Sequence, residues 1–364
     1  MNRLRLRSLG LALGVLAALG VVAWKHTATG GAAMLSEYEG ALRGIVIHYA
    51  PGSDFVLPVY RQFLQQLPAD VRVYVLCPDA DAYAQVRKEL GALSSRLQPV
   101  LVGHAMTAWS RDRWIALRGP RYTDVIGPRG EAGAAVWPQR QGDQRLAADL
   151  AESLAGRVRA RTSGLYFDGG DLLAGQRHVF VAPDVITRNL QRTVSSMAEL
   201  EHALQRLTGR TPLFLPEAPR HHAAMFMMQV SHDTVLVGDP SLARSLAGQG
   251  LPPLPGGADF SPPTQASFDS VASVCAAAGY RVRRIPVVPT ADGKCYLTYV
   301  NVIIDGRGPR PTVYLPIYQG AEALNAAAER IWQEAGYQVR AVDCTSTYQH
   351  FGNLHCLVNV LERT

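Results

Sequence analysis

The sequence predicts one α/β domain preceded by a short targeting segment. From about residue 38 to the C-terminus, strand-like apolar runs alternate with segments of helical apolar spacing, an order typical of α/β proteins. Units of strand, helix and strand recur loosely about every 60 residues, which allows about five units. No Gly/Ser linker or low-complexity stretch divides this part of the chain, so residues 38–364 are predicted to form a single domain.

The composition is that of a globular protein with a sizeable core. Of the 364 residues, 48% are hydrophobic and 18% are charged. The formal net charge of +6 is mild and spread along the chain, and no Lys/Arg block is interleaved with aromatic residues. This distribution argues against nucleic acid as a partner.

The first residues are predicted to lie outside the domain. Three arginines within the first seven residues precede the uncharged apolar run Leu9–Trp24, an order typical of an export signal. The run has 16 residues, whereas a membrane-spanning helix needs about 20. A cleaved signal peptide and a retained signal anchor are therefore both open, with a linker over Thr27–Ser36. Residues 1–37 thus predict an exported protein, either periplasmic or extracellular or anchored to the cytoplasmic membrane.

Strands are predicted where β-branched and aromatic residues form short apolar runs. They are Ala41–Tyr49, Val71–Cys77, Pro99–Gly103, Thr234–Val237, Arg281–Val287, Tyr296–Ile304, Thr312–Leu315, Gln338–Val342 and Leu354–Leu361. Helices are predicted where apolar residues recur three or four positions apart. They are Phe55–Leu67, Asp79–Leu93, Leu146–Ala155, Met197–Leu207, Phe268–Gly279 and Gly320–Gly336.

Five cysteines follow the targeting segment: Cys77, Cys275, Cys295, Cys344 and Cys356. An odd number in an exported protein leaves at least one thiol unpaired. Their spacing contains no CxxC pair and no zinc pattern, so no metal is expected. A free thiol in an oxidising compartment points to a functional role.

Two loops bring acidic residues next to unusual neighbours. Trp109–Trp114 (WSRDRW) places a charged triplet between two tryptophans, although a solvated loop with an internal ion pair is the plainer interpretation. Tyr166–Leu173 (YFDGGDLL) brackets two glycines with an acidic pair. A hairpin turn would explain the glycines, but a better turn follows at 173–176. The two glycines therefore suggest a bulge or the close approach of another group.

Two further segments carry a histidine pair and a cysteine. Arg220–Met227 (RHHAAMFM) enters an apolar strand, and a single histidine there is more often structural than catalytic. In Phe351–Asn359 (FGNLHCLVN), Cys356 opens the terminal strand after a loop with glycine, and a buried inert cysteine is the commonest alternative. Together the four segments supply a thiol, a candidate base and two carboxylates, as activated-nucleophile chemistry requires.

In this order the four segments resemble those of the guanidine-modifying enzyme (pentein) superfamily, above all its agmatine deiminase and bacterial peptidylarginine deiminase branch. That branch has a Trp/Arg-Asp loop, a Glu-Gly-Gly-Asn/Asp motif, a His-x-Asp motif and a C-terminal Gly-x-x-His-Cys. They are matched here by WSRDRW, FDGGDLL, HHAAMFM and GNLHC. Val179–Asn189 and Tyr299–Asn301 are also similar, so the resemblance covers nearly the whole chain after residue 40. The fold it implies is a five-bladed α/β propeller with pseudo-fivefold symmetry.

The resemblance implies a catalytic role for three residues. Cys356 corresponds to the nucleophile, His222 to the general acid/base, and Asp168 to a carboxylate that hydrogen-bonds the histidine or the substrate.

The resemblance also implies a substrate site. Asp112 corresponds to a carboxylate that binds the planar guanidinium through two hydrogen bonds. Trp109 and Asp171 are expected to line the same site. The partners implied are a small guanidino compound or an arginine-containing peptide, together with the membrane if the N-terminal segment is retained.

The implied enzyme is a deiminase-type hydrolase that acts on C–N bonds of linear amidines. A thiolate would attack the guanidinium carbon of an arginine-like, agmatine-like or peptidyl-arginine substrate and release ammonia or an amine and a ureido product. No cofactor is needed for this chemistry. Two alternatives stay open: a non-catalytic pentein that binds a ligand or protein partner, and an amidinotransferase or another Cys–His hydrolase on the same scaffold.

The chain departs from the family pattern at two positions. The His-x-Asp motif becomes His222-Ala223-Ala224, so the Asp that would bind the second side of the guanidinium is missing. An unpaired guanidinium edge in a buried site costs about 1–3 kcal/mol. Either Asp171 or Asp233 could substitute for it, or the substrate could be N-substituted. In addition, Asp168 stands where Glu is usual, which shortens its reach by one methylene.

Overall fold

The computed structural model describes residues 32–119, 121–131, 138–248 and 250–364. Its strands β1 to β18 are, in chain order, Ala33–Met34, Leu42–His48, Arg72–Cys77, Leu97–Leu101, Ile115–Arg118, Thr123–Gly127, Val158–Thr162, Leu172–Ala174, His178–Val181, Thr211–Phe214, Met227–Gln229, Thr234–Asp239, Arg281–Pro289, Tyr296–Thr298, Ile303–Asp305, Thr312–Ile317, Gln338–Asp343 and Val358–Arg363. Its α-helices α1 to α10 are Leu57–Gln66, Ala80–Leu90, Pro138–Asp143, Leu146–Ser153, Pro183–Asn189, Met197–Thr208, Pro240–Ala247, Pro262–Ala277, Glu322–Glu334 and Leu354–Leu357.

The strands of the described residues form five small sheets. Their spatial orders are β18-β2-β3-β4, β1-β5-β6-β7, β10-β9-β8, β11-β12-β13-β14 and β15-β16-β17. Each sheet combines antiparallel neighbours with at least one parallel pair. A helical connection joins the parallel strands, as α1 joins β2 to β3 and α9 joins β16 to β17. The α/β class is therefore confirmed, and the number of sheets equals the number of units expected. Their arrangement as a closed propeller with pseudo-fivefold symmetry stays a prediction.

Helix α9 packs in the core and holds the loop of residues 299–302 between β14 and β15. Its apolar residues Leu324, Ala328 and Trp332 lie on one face and are buried. The indole Nε1 of Trp332 donates a hydrogen bond to the carbonyl oxygen of Tyr299 at 2.9 Å. The helix thereby holds the segment that connects β14 to β15.

Two predicted strands differ from the observed elements. The run Tyr296–Ile304 is interrupted at 299–302, and its halves β14 and β15 belong to different sheets. The run Leu354–Leu361 begins as the helical turn α10, and only β18 is extended. Apolar residues predominate along both segments, so hydrophobicity alone does not mark where the backbone turns.

The N-terminal boundary also needs correction. The apolar run Leu9–Trp24 lies outside the described residues, but the end of the predicted linker is part of the fold. Ala33–Met34 form strand β1 against β5, and Glu37 is buried. The domain therefore includes residues 32–37, because Met34 and Leu35 bury apolar side chains there. In the described ranges, no helix has the length and apolar character needed to cross a membrane.

Candidate active site

Cys356 lies in the short helix α10, between a tight loop and strand β18. The loop before it contains Phe351, whose φ of +71° is in the left-handed region that non-glycine residues rarely adopt. Gly352 follows, and a Cβ there would lie 2.4 Å from the ring of Trp109. Only glycine fits at this position, so the loop packs directly on the indole. Cys356 itself is 2% exposed.

The structure brings His222 to Cys356. The His222 Nδ1 atom lies 3.9 Å from the Cys356 Sγ atom, within hydrogen-bond reach of a sulfur. On the other side of the ring, Nε2 lies 4.0 Å from Asp112 Oδ1. His222 is held by the turn Ala223–Met225, which is tied to β14 because Thr298 Oγ1 donates to the Met225 carbonyl oxygen at 2.9 Å. The result is a thiol, an imidazole and a carboxylate in line.

The surroundings of His222 favour its charged form. Burial alone would lower its pKa, but the hydrogen bond to Cys356 and the charges of Asp112, Cys356 and Asp171 raise the pKa to about 10. The neighbouring His221 is the opposite case, since burial and the charge of His222 lower its pKa to about 3. His222 is therefore the ring that can hold a proton for a leaving group at neutral pH.

The acidic Gly-Gly segment forms a 3-10 turn over Gly169–Asp171, and not a hairpin. A Cβ at Gly170 would lie 2.5 Å from Cγ and Nδ1 of the His222 ring. The Gly169 N–H donates to the Asp112 carbonyl oxygen at 2.7 Å. The expected close approach of another group is thus confirmed, and the group is the imidazole of His222.

Replacing Gly170 with alanine is expected to reduce kcat by about 10²-fold, because the added methyl group pushes His222 away from Cys356. The measurement is steady-state turnover, with thermal unfolding to confirm that the variant is folded. Gly164→Ala is the matched control, since a Cβ there meets nothing within 4 Å. Equal activity of the two variants would contradict the placement of His222.

The loop that carries Asp112 is fastened to the terminal strand. Asn359 Nδ2 donates to the carbonyl oxygens of Ser110 and Trp114, both at 3.0 Å. The Arg111 N–H donates to the Cys356 carbonyl oxygen at 3.2 Å. These bonds bring the WSRDRW loop beside the nucleophile, although the two are distant in the sequence.

The buried carboxylate of Glu37 links the WSRDRW loop to the segment that carries Cys356. The Glu37 carboxylate accepts a hydrogen bond from Arg111 Nη2 at 2.6 Å and lies 3.1 Å from His355 Nε2. Burial would raise the pKa of Glu37, but the charges of Arg111 and His355 lower it to about 2. Glu37 is therefore ionised at neutral pH and connects the first described segment to the residue next to Cys356.

Three arginines contact the predicted carboxylates. Arg140 bridges two of them, with Nη1 2.7 Å from Asp112 Oδ2 and Nη2 3.1 Å from Asp168 Oδ1. Arg188 Nη1 lies 3.2 Å from Asp168 Oδ2, and its Nη2 is paired with Asp171. Arg113 Nη1 lies 3.5 Å from Asp168 Oδ1. The carboxylates thus have cationic partners within the chain itself.

These contacts set the charge states of the two acidic residues in the turn. Burial would raise the pKa of Asp168, but Arg140, Arg188 and Arg113 lower it to about 2. Burial raises the pKa of Asp171, and the Asp168 charge adds to this effect while Arg188 opposes it. Asp171 Oδ2 also accepts a hydrogen bond from the Asp168 N–H at 2.8 Å, which fixes the turn.

Of the remaining predicted residues, Trp109 lies at the site and Asp233 does not. Trp109 lies at the site, with its ring 6.0 Å from that of Phe55 and against Gly352. Ala224 is completely buried. Asp233 does not join the site and cannot replace the missing Asp. It is bonded to Ser231, Thr234 and Arg281 at the start of β12.

The five cysteines are all buried and free. Burial raises the pKa of four of them, Cys77, Cys275, Cys295 and Cys344, which keeps these thiols protonated and unreactive. In the part of the chain that the structure describes, no group of three or more His, Cys, Asp or Glu is placed to hold a metal ion.

Asn301 is a site residue that the assigned roles did not include. Its Nδ2 lies 3.5 Å from Cys356 Sγ, and its Oδ1 accepts a hydrogen bond from the His355 N–H at 2.8 Å. Two signals were available in the sequence: asparagine disfavours a strand within an apolar run, and Tyr299–Asn301 resembles the corresponding family segment. For Glu37 and Arg140 the sequence offers no comparable signal.

The sheets and the site together describe an α/β protein with a Cys–His pair next to carboxylates, and its fold is similar to that of solved agmatine deiminases. Among solved structures, the chain is similar to the agmatine deiminase of Enterococcus faecalis, with 13% identity, a TM-score of 0.70, and coverage of 92% of this chain and 96% of that chain. It is also similar to the agmatine deiminase of C. jejuni, with 11% identity, a TM-score of 0.68, and coverage of 91% and 96%. A candidate peptidyl-arginine deiminase is similar at 14% identity, with a TM-score of 0.67 and coverage of 92% and 99%.

These similarities confirm an α/β fold shared with solved agmatine deiminases, while the five-bladed propeller stays a prediction. Searches with family models and among curated proteins give no match.

Proposed function

We propose that this protein is a deiminase-type cysteine hydrolase, which attacks the guanidinium carbon of an arginine-like, agmatine-like or peptidyl-arginine substrate. The observation that carries the proposal is the alignment of Cys356, His222 and Asp112, with 3.9 Å between Sγ and Nδ1 and 4.0 Å between Nε2 and Oδ1. The same fold in known agmatine deiminases supports it.

The geometry supports a two-stage reaction. The Cys356 thiolate adds to the guanidinium carbon and forms a tetrahedral adduct. The C–N bond to the leaving nitrogen then breaks as protonated His222 gives that nitrogen a proton, and ammonia or an amine departs. A water molecule next loses a proton to neutral His222 and adds to the same carbon. Loss of the thiolate then leaves the ureido product.

Two surrounding groups are suited to this reaction. The Asn301 amide lies 3.5 Å from Sγ and can donate a hydrogen bond to the thiolate. The Asp112 carboxylate faces the same ring from the opposite side and can accept from the substrate guanidinium. Position 168 lacks the reach of a Glu, and the shorter Asp168 is paired with Arg140 and Arg188.

The test is release of ammonia and ureido product by the full-length protein. The panel contains agmatine, arginine, N-methylated arginines and an arginine-containing peptide, with the Cys356→Ala variant as the blank. Equimolar ammonia or amine and ureido product from the native protein alone would support the hydrolase and identify its substrate class. Mass spectrometry of the quenched protein should also detect an amidino group on Cys356.

Other outcomes would identify a different function. Transfer of the amidino group to an added amine would indicate an amidinotransferase. No adduct and no turnover on the whole panel, with the thiol free and the protein folded, would contradict the hydrolase. That result would favour a protein that only binds a guanidino ligand or a partner.

We also propose that the domain is exported, because the basic and apolar N-terminal pattern precedes it in the sequence. Protease added to intact spheroplasts is expected to degrade the protein, while a cytoplasmic marker survives. Protection of both proteins until the membrane is lysed would contradict export.

A further inference from the structure

The site already contains a guanidinium group, and it belongs to Arg140. Its two terminal nitrogens pair with two different carboxylates, at 2.7 Å from Asp112 and 3.1 Å from Asp168. These are two of the carboxylates that the proposed reaction needs for a substrate. A guanidinium presents its N–H donors in a planar fork, so Arg140 and a substrate would compete for the same acceptors.

The charges around Arg140 favour this competition. Arg140 and a substrate guanidinium would meet at the same two carboxylates, those of Asp112 and Asp168. Two positive charges at this short range repel each other, and the repulsion is strongest where solvent is largely excluded. Departure of the Arg140 side chain from the carboxylates relieves this repulsion.

The surroundings of Arg140 allow the side chain to leave without the backbone. Helix α3, which carries it, is fixed by Asp143, whose Oδ1 and Oδ2 accept from the Thr107 N–H at 2.8 Å and its hydroxyl at 2.9 Å. A Cβ at Gly142 would lie 1.8 Å from the Ala105 carbonyl oxygen, so the helix sits directly on the preceding loop. The Arg140 side chain keeps 21% of its surface exposed, whereas that of Arg113 keeps 1%. The Arg188 side chain keeps 24% exposed, but it pairs with Asp168 and Asp171 of the acidic turn, so Arg140 is the partly exposed arginine that contacts Asp112.

We infer that Arg140 occupies the position that a substrate guanidinium would take and that a substrate must displace it, which makes Arg140 a specificity-determining residue. The inference rests on the proposed function and defines its substrate class more narrowly. A ligand that offers only a guanidinium exchanges one such group for another and gains little. A ligand with additional contacts is favoured, and the aromatic rings of Trp109 and Phe55 beside the nucleophile loop can supply them. Extended guanidino substrates such as arginine peptides should therefore be preferred over the bare guanidinium ion.

The experiment measures binding without turnover, in the full-length protein that carries Cys356→Ala. Agmatine and guanidinium chloride are titrated calorimetrically into this background with and without Arg140→Ala. Removal of the internal competitor is expected to lower the agmatine Kd by about tenfold or more, as for any site whose competent state was only partly populated. Guanidinium itself should bind measurably only to the Arg140→Ala variant. In the active background, KM should fall while kcat changes little.

Two variants serve as controls. Arg140→Lys retains the positive charge but makes a single-point contact, so it should fold if Arg140→Ala does not and should also bind agmatine more tightly than the native site. Arg145→Ala removes an exposed arginine of the same region and should leave the Kd unchanged. Unchanged or weaker agmatine binding in folded Arg140→Ala and Arg140→Lys would overturn the inference and show that Arg140 braces the site. The binding measurement does not depend on whether the native protein turns over any substrate.

Discussion

Replacement of Cys356 by alanine is expected to reduce turnover of the best guanidino substrate by about 10⁴-fold or more, since removal of a nucleophile disables both stages of the reaction. Each factor of ten corresponds to about 1.4 kcal/mol of activation free energy. The thermal midpoint should fall only by the cost of a small cavity, because Cys356 is a small buried side chain. The measurement is product release per active molecule under saturating substrate.

A second cysteine provides the comparison. Cys275 is buried in α8, and burial raises the pKa of its thiol to about 12. Cys275→Ala should therefore keep native turnover and differ only in stability, by the cost of a small cavity. Comparable losses of activity in both variants would mean that Cys356 acts through folding and not through chemistry.

Replacement of His222 by glutamine is expected to reduce kcat by about 10²–10⁴-fold, the range typical of a lost general acid/base. Glutamine approximates the size of the ring but cannot carry the proton. The measurement is kcat at neutral pH, together with thiol reactivity toward iodoacetamide. We expect the Cys356 thiol of this variant to react more slowly, because the imidazolium that favours the thiolate is gone.

The pH profile separates this role from a structural one. The pKa of His222 is raised to about 10, so its proton is retained at neutral pH and lost as the pH rises through that value. Activity should therefore fall on the alkaline side, and this limb should disappear in His222→Gln. His232→Gln is the control, since the His232 side chain is 76% exposed and should leave both kcat and the profile unchanged. An unaltered alkaline limb in His222→Gln would contradict the assignment.

Most helices and strands could be predicted from local patterns. The apolar run Ala41–Tyr49 predicts β2, and the amphipathic spacing predicts α1, α6 and α9, each within a few residues of its observed ends. Strands β1 and β5 to β11 and helices α3, α5, α7 and α10 were not predicted. Two predicted strands have the wrong bounds for one physical reason. In Tyr296–Ile304 and Leu354–Leu361 every position is buried regardless of backbone conformation, so periodicity carries no information about the break that brings Asn301 and Cys356 together.

The candidate site could be predicted in part. The glycines of the acidic turn indicated a close approach, and the structure supplies its partner, His222. The expectation that Asp233 could substitute for the missing Asp was wrong, because sequence proximity to the histidine does not determine which end of a strand a side chain occupies. The bridging position of Arg140 depends on the packing of α3 against a loop more than thirty residues earlier, which no local pattern encodes.

The sequence by itself determined the α/β class, many of the helices and strands, and the residue types that chemistry requires, because periodicity and turn propensity act over short distances. Only the tertiary structure decided which of these residues meet. Hydrogen bonds from Asn359 and Arg111 join a loop to the C-terminal segment almost 250 positions away. Buried Glu37 extends the domain into the predicted linker. It also decided that the carboxylates are already paired with arginine. Contacts between distant segments depend on the packing of the whole domain, and this is why only the structure shows Arg140 paired with the carboxylates of Asp112 and Asp168.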